Sequence, residues 1–118
     1  MKDNILKTKS YSFALRIVKL FQYLASEHKE YVLSKQVLRS GTSVGANIEE
    51  AFQGESKSDF IHKLAVANKE AFETHYWLRL LRDSNILTKK QAESLLGECD
   101  ELQRMLVAAI KTSKSKRL

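Results

Sequence analysis

Ser56-Lys-Ser-Asp59-Phe60-Ile-His-Lys-Leu64-Ala-Val-Ala67-Asn-Lys-Glu-Ala71-Phe-Glu-Thr74-His-Tyr-Trp-Leu78-Arg-Leu-Leu81 is the stretch whose spacing decides the fold. Phe60, Leu64, Ala67, Ala71, Thr74, Leu78 and Leu81 recur three and four residues apart, which places them on one stripe of an α-helix. Ser56 and Asp59 stand in capping-box spacing at its start, where each side chain can satisfy a free backbone N–H. The spacing predicts a helix over 57–83.

The same period appears on both sides. Upstream, Phe13, Ile17, Leu20, Phe21 and Leu24 predict a helix over about 4–28. Val37, Gly41, Val44, Ile48 and Ala51 or Phe52 predict another over 34–53, with Ser34 as N-cap and Gly54 as terminator. Downstream of the turn Asp83 to Leu87, Thr88 and Gln91 repeat the capping box. Ala92, Leu95, Cys99, Leu102, Leu106 and Ala109 then form a fourth stripe over 89–112, leaving a basic tail at 113–118. Helices of about 25 residues run about 38 Å. Joined by connections of a few residues, they must turn back on one another, so the expected fold is all-α, a single-domain antiparallel up-down-up-down four-helix bundle.

Composition agrees. Of 118 residues, 43% are hydrophobic, none is proline and four are glycine, so little interrupts helical propagation. The lone Cys99 lacks neighbours for a bridge, a metal site or a thiol redox motif, which fits a reducing, cytoplasmic setting. No apolar run reaches the roughly 18 to 20 residues of a spanning helix, because Arg16, Lys19 and Gln22 interrupt the most hydrophobic stretch, and no signal peptide is readable. Membrane association is therefore not expected. The net charge of +6 is concentrated at the two ends, and Lys111, Lys114, Lys116 and Arg117 close the chain without an acid. Such a tail either attracts a polyanion or serves as a solubilising terminus.

The second helix breaks a local rule. Ser40-Gly41-Thr42-Ser43-Val44-Gly45-Ala46-Asn47 puts two glycines inside a helix, each costing about 1 kcal/mol relative to alanine. Gly41 and Gly45 lie one above the other, and close approach of another helix is the simplest compensation. A phosphate-binding glycine loop lacks both its Gly-Lys-Ser/Thr ending and its preceding strand. A second stripe, Ser40, Ser43, Asn47 and Glu50, is polar, and the third helix offers Glu70, Glu73 and Trp77. Carboxylates meeting Arg39 or Arg79 would form a buried network that fixes helix register; the alternative is solvated surface.

Metal and nucleophile chemistry find little support. A carboxylate-bridged di-iron bundle needs two Glu-x-x-His pairs plus two further acids, whereas only Asp59 with His62 has comparable spacing and His75 is preceded by Phe72. His28, His62 and His75 fall on different segments, with no serine or cysteine beside them in an identifiable nucleophile motif. No catalytic residue, metal or cofactor is assigned.

Arg39-Ser-Gly-Thr-Ser-Val-Gly-Ala-Asn-Ile-Glu-Glu-Ala51, Asp59-Phe-Ile-His-Lys-Leu64 and Glu70-Ala-Phe-Glu-Thr-His-Tyr-Trp-Leu-Arg-Leu-Leu81 together resemble the 23S rRNA intervening-sequence protein family. The resemblance covers nearly the whole chain and is strongest in helices two and three. It implies a four-helix bundle assembled as a ring-shaped homopentamer, and no established active site. Related accessory proteins of diversity-generating retroelements use basic surfaces to bind nucleic acid and a reverse transcriptase, so the resemblance also makes RNA, DNA and such an enzyme the expected partners.

The expectation for this chain is a non-catalytic oligomer that binds nucleic acid through Lys7, Lys9, Arg16, Lys19, Lys111, Lys114, Lys116 and Arg117. The alternative is a protein-interaction scaffold whose charge only aids solubility. A ring needs two unlike patches per subunit. The small-residue face of helix two, with Arg39, Gly41, Ser43, Gly45, Asn47 and Glu50, and the face Glu70, Glu73, Tyr76 and Trp77 of helix three are candidates to meet across subunits. Trp77 fits the bundle core equally well.

Overall fold

A computed structural model describes residues 4–115. Four helices account for most of them: α1 (Ile5–Glu27), α2 (Leu33–Ala51), α3 (Lys57–Asp83) and α4 (Lys89–Ser115). Among the described residues there is no strand. Each helix packs on its neighbours in sequence, and α1 closes the square against α4, within an envelope of 51 × 25 × 20 Å. Partners run in opposite senses across the seams. Lys7 of α1 meets Glu49 of α2 while Ile17 meets Gly41. Arg39 of α2 meets Glu73 of α3 while Glu50 meets Lys63. The bundle is therefore all-α and antiparallel, as the periodicity requires.

The four apolar stripes supply the core. Phe13, Ile17 and Leu24, Val37, Val44 and Ile48, Leu64, Leu78 and Leu81, and Leu102 and Leu106 are all sealed from solvent. Phe21, placed on the first stripe by spacing, sits at its edge and is only half-buried, as are Phe60 and Ala109. Cys99 lies inside, its thiol donating to the Ala71 carbonyl at 3.2 Å. Burial, helped by the nearby Asp100 charge, pushes that thiol up to about 12, which leaves it without nucleophilic character near neutral pH.

Helix ends follow their caps. Asn4 accepts from the Lys7 N–H at 3.1 Å, Ser56 from the Asp59 N–H at 3.0 Å, and Thr88 and Gln91 exchange hydrogen bonds of 2.9 and 3.1 Å. Both predicted capping boxes lie at true helix starts, although only at Thr88 is the exchange reciprocal.

Three boundaries differ from expectation. Ser34 is buried inside α2 rather than capping it, and the cap comes from Glu30, whose carboxylate accepts the Val32, Leu33 and Ser34 N–H groups at 3.1, 3.0 and 2.8 Å. A glutamate four residues upstream reaches N–H groups that the shorter serine side chain, already turned to the Glu30 carbonyl, does not serve. At its other end α2 stops at Ala51, and Gly54 follows within the turn, its N–H bonded to the Ala51 carbonyl. Finally, α4 continues through Ser115, so the first residues of the expected tail are helical.

Left-handed backbone occurs at Lys29 (φ 52°) and Asn85 (φ 65°), which reverse the chain after α1 and α3. The Glu30 N–H reaches back to the Leu24 carbonyl at 3.0 Å, and the Ile86 and Leu87 N–H groups return to that of Leu81, satisfying helix-end carbonyls.

Candidate nucleic-acid interface and the helix seams

The seam between α2 and α3 is built from small and polar residues. Ser40 and Thr74, both fully buried, bring their hydroxyls within 2.9 Å of each other, and Thr74 also donates to the Glu70 carbonyl at 2.8 Å. A hydroxyl has one proton to give, so both bonds hold together when Ser40 donates to Thr74. Towards solvent, the Arg39 guanidinium spans Glu70 (3.2 Å) and Glu73, and the Trp77 indole N–H donates to the same Glu73 carboxylate at 3.1 Å. Hydrogen bonds from Arg39 and then Trp77 hold the Glu73 carboxyl below its usual range, and Glu73 in turn raises Arg39. Further along, Glu50 pairs with Lys63 at 2.9 Å. Ser43 donates to the Arg39 carbonyl, and the Asn47 amide to that of Ser43.

The expected arginine–carboxylate network therefore exists and uses Arg39. It differs from expectation in position, because Arg39 is 50% exposed and the network rims the seam instead of lying within it. Arg79 is not part of it: its guanidinium donates to His75, which faces Asp100 of α4 at 3.1 Å.

Gly41 and Gly45 do not face outwards. A Cβ on Gly41 would stand 2.8 Å from Ile17 Cγ1, and one on Gly45 3.4 Å from the Ser10 carbonyl oxygen. The glycines thus thin α2 for α1 of the same chain, the close helix approach that their propensity cost implied. Glu70 and Glu73 are engaged with Arg39, and Trp77 with Glu73, so of that group only Tyr76 is exposed on the outer surface.

The cations of α1 are less available than the sequence implied. Lys7 pairs with Glu49 at 3.4 Å, Lys9 with Glu101 at 3.1 Å, and Arg16 with Glu98. These pairs bridge α1 to both neighbours, and two of them span the α1–α4 seam, the most loosely packed of the four. Spacing in one dimension carries no information about which acid a lysine meets on another helix. Lys19, Lys111 and Lys114 are exposed and meet no carboxylate among the described residues. Lys116 and Arg117 lie outside the described residues.

Two outward patches escaped the core pattern. Tyr11, Leu15 and Val18 form an exposed stripe on α1, beside a shallow apolar groove lined by Ala14, Thr42, Gly45 and Ala46. Phe72 and Tyr76 stand outward on α3. Their four-residue spacing was readable, but on the face opposite the main stripe, where it competes with the ordinary expectation of scattered surface apolar residues. Among the described residues no group of three or more His, Cys, Asp or Glu is arranged to hold a metal, and no helix is long and apolar enough to cross a membrane.

Fold and seams define a small basic four-helix bundle whose helices are registered by glycine contacts, a hydroxyl pair and rim ion pairs. The chain belongs to the 23S rRNA-intervening sequence protein family, whose profile matches residues 2–108. It is also similar to a crystal structure of a protein with unknown function from the S23 ribosomal protein family of Bacteroides thetaiotaomicron VPI-5482. The two are 53% identical with a TM-score of 0.91 over 94% of this chain and 99% of that one. No curated protein matches.

Proposed function

We propose that this chain is a non-catalytic, homo-oligomeric bundle of the cytoplasm that binds nucleic acid, RNA or an RNA–protein complex foremost, through its basic surface. The observation that carries the reading is the surplus of cations left after the seams are paired: Lys19, Lys69, Arg79, Arg104, Lys111 and Lys114 meet no carboxylate within ion-pair distance among the described residues. Such cations release condensed counterions from a polyanion, giving binding that is largely indifferent to sequence and falls steeply with salt.

Assembly as a pentamer follows the family resemblance, and the Tyr11–Leu15–Val18 stripe with its adjoining groove supplies an apolar surface for a second copy. Five copies multiply weak single contacts into a usable affinity. Gel retardation of RNA at low ionic strength, together with light scattering of the free protein, tests both halves. No retardation removes the binding role, and a monomer at micromolar concentration removes the ring.

The same α1–α2 face also favours a second reading, a scaffold for a protein partner such as a reverse transcriptase. Partner capture that survives nuclease and high salt supports the scaffold; capture that vanishes with nuclease supports nucleic acid as the bridge.

A further inference from the structure

On the outward face of α3, cationic and aromatic side chains alternate. Lys69, Phe72, Tyr76 and Arg79 follow at three- and four-residue intervals, which aligns them along one side of the helix. Phe72 is 60% and Tyr76 47% exposed. The Arg79 guanidinium carbon sits 5.6 Å from the centre of the Tyr76 ring, and that ring meets the Trp77 indole edge-on with centroids 5.2 Å apart. The acids nearest this face are already engaged: Glu73, close enough to feel Lys69, is held by Arg39 and the indole, and Asp83, one turn beyond Arg79, is paired with Arg82 at 2.8 Å. His75 lies between Arg79 and Asp100.

We infer that this α3 face is a stacking platform for single-stranded nucleic acid, with unpaired bases laid on Phe72 and Tyr76 and the phosphates drawn to Lys69 and Arg79. This deepens the nucleic-acid reading above and rests on it. Charge selects the occupant: two exposed aromatic rings bracketed by two cations that meet no carboxylate within ion-pair distance among the described residues suit a polyanion that carries flat apolar faces. An arginine stacked on an aromatic ring also adds a cation–π surface to which a base can extend the stack. Length fits as well. Ten residues of helix separate Lys69 from Arg79, about 15 Å, which matches about four phosphates of a stacked strand at roughly 3.4 Å each. The aromatic rings distinguish this platform from the cations of α1 and α4, which attract any polyanion, duplex included.

The experiment uses the full chain, a fluorescein-labelled 12-nucleotide oligouridylate and a duplex of the same length. Trp77 is the only tryptophan and touches Tyr76, so its emission reports directly on the platform. The expected result is quenching of Trp77 by the single strand and not by the duplex. F72A/Y76A is then expected to weaken single-strand affinity by about fivefold to a hundredfold per base lost from the stack, with duplex affinity and the salt slope unchanged and Y76F close to wild type. Circular dichroism melting confirms that the variants are folded.

Unchanged single-strand affinity in F72A/Y76A overturns the platform while nucleic-acid binding stands. A loss of assembly in light scattering with no loss of single-strand affinity also overturns it, and reassigns the face to a second copy of this chain. If the wild type binds neither probe at low salt, it is the underlying nucleic-acid reading that has failed.

Discussion

Ile17 of α1 lies so close to Gly41 of α2 that a methyl group on the glycine would stand 2.8 and 2.9 Å from the two γ carbons of the isoleucine. Ile17 is itself sealed in the core, so it has little room to move aside. Gly41→Ala therefore sets a helix-propensity gain of about 1 kcal/mol against an overpacking penalty of about 1–3 kcal/mol. The expected outcome is a net loss of up to about 2 kcal/mol in urea unfolding, and adding Ile17→Ala, which removes both γ carbons, should cost less in the double variant than the sum of the two single changes. Gly97 is the opposite case: nothing lies within 4 Å of its Cβ position, so Gly97→Ala is expected to stabilise by up to about 1 kcal/mol. Equal effects at the two sites would contradict the packing account.

Glu30 anchors the start of α2. Burial acts to raise its carboxyl, but hydrogen bonds from the Leu33, Ser34 and Val32 N–H groups outweigh it, and the net shift is downwards from 4.5. A carboxyl depressed in the folded state stabilises fully above its unfolded value and loses that contribution as pH falls through the folded one. Glu30→Ala is expected to cost about 1–2 kcal/mol near neutral pH. Urea midpoints of wild type and variant should converge as pH drops below about 4.5, and a gap that stays constant down to acid would refute the capping role.

The Ser40–Thr74 pair makes an asymmetric prediction. Thr74→Val leaves the Ser40 hydroxyl buried without its partner, at about 1–3 kcal/mol. Ser40→Ala leaves Thr74 bonded to the Glu70 carbonyl and should cost less. Combining the two should cost less than their sum, read from denaturant midpoints in a double-mutant cycle. Simple additivity would mean that the hydroxyls do not couple.

Free and paired cations should separate in a salt titration. Replacing Lys111 and Lys114 by alanine is expected to lower the slope of log affinity against log salt by about 0.7–0.9 for each phosphate contact removed. Lys9→Ala, whose amine is held 3.1 Å from Glu101, is expected to change the slope less and to loosen the α1–α4 seam instead. Identical slopes for both classes would remove the distinction.

Much of the architecture was readable from one dimension because it rests on period. Leu64, Ala67, Ala71, Thr74, Leu78 and Leu81 share a face wherever α3 is placed, and the Ser56 and Thr88 caps act within three residues. Gly41 and Gly45 announced a close approach in the same way, through a propensity cost that something had to offset. The site was less legible. Lys7, Lys9 and Arg16 read as free cations, yet each finds its acid 42, 92 or 82 positions away in the chain.

By itself, then, the sequence determined helix number, helix faces and direction of packing, since all three follow from local spacing and short turns. The tertiary structure alone decided which charges cancel, which glycine meets which helix, and that Phe72 and Tyr76 face outwards with Arg79 over the Tyr76 ring. Those outcomes depend on rotation and register between helices. These are set by the fit of whole surfaces, Ile17 into the gap at Gly41 and Ser40 against Thr74, and not by any property of a single segment.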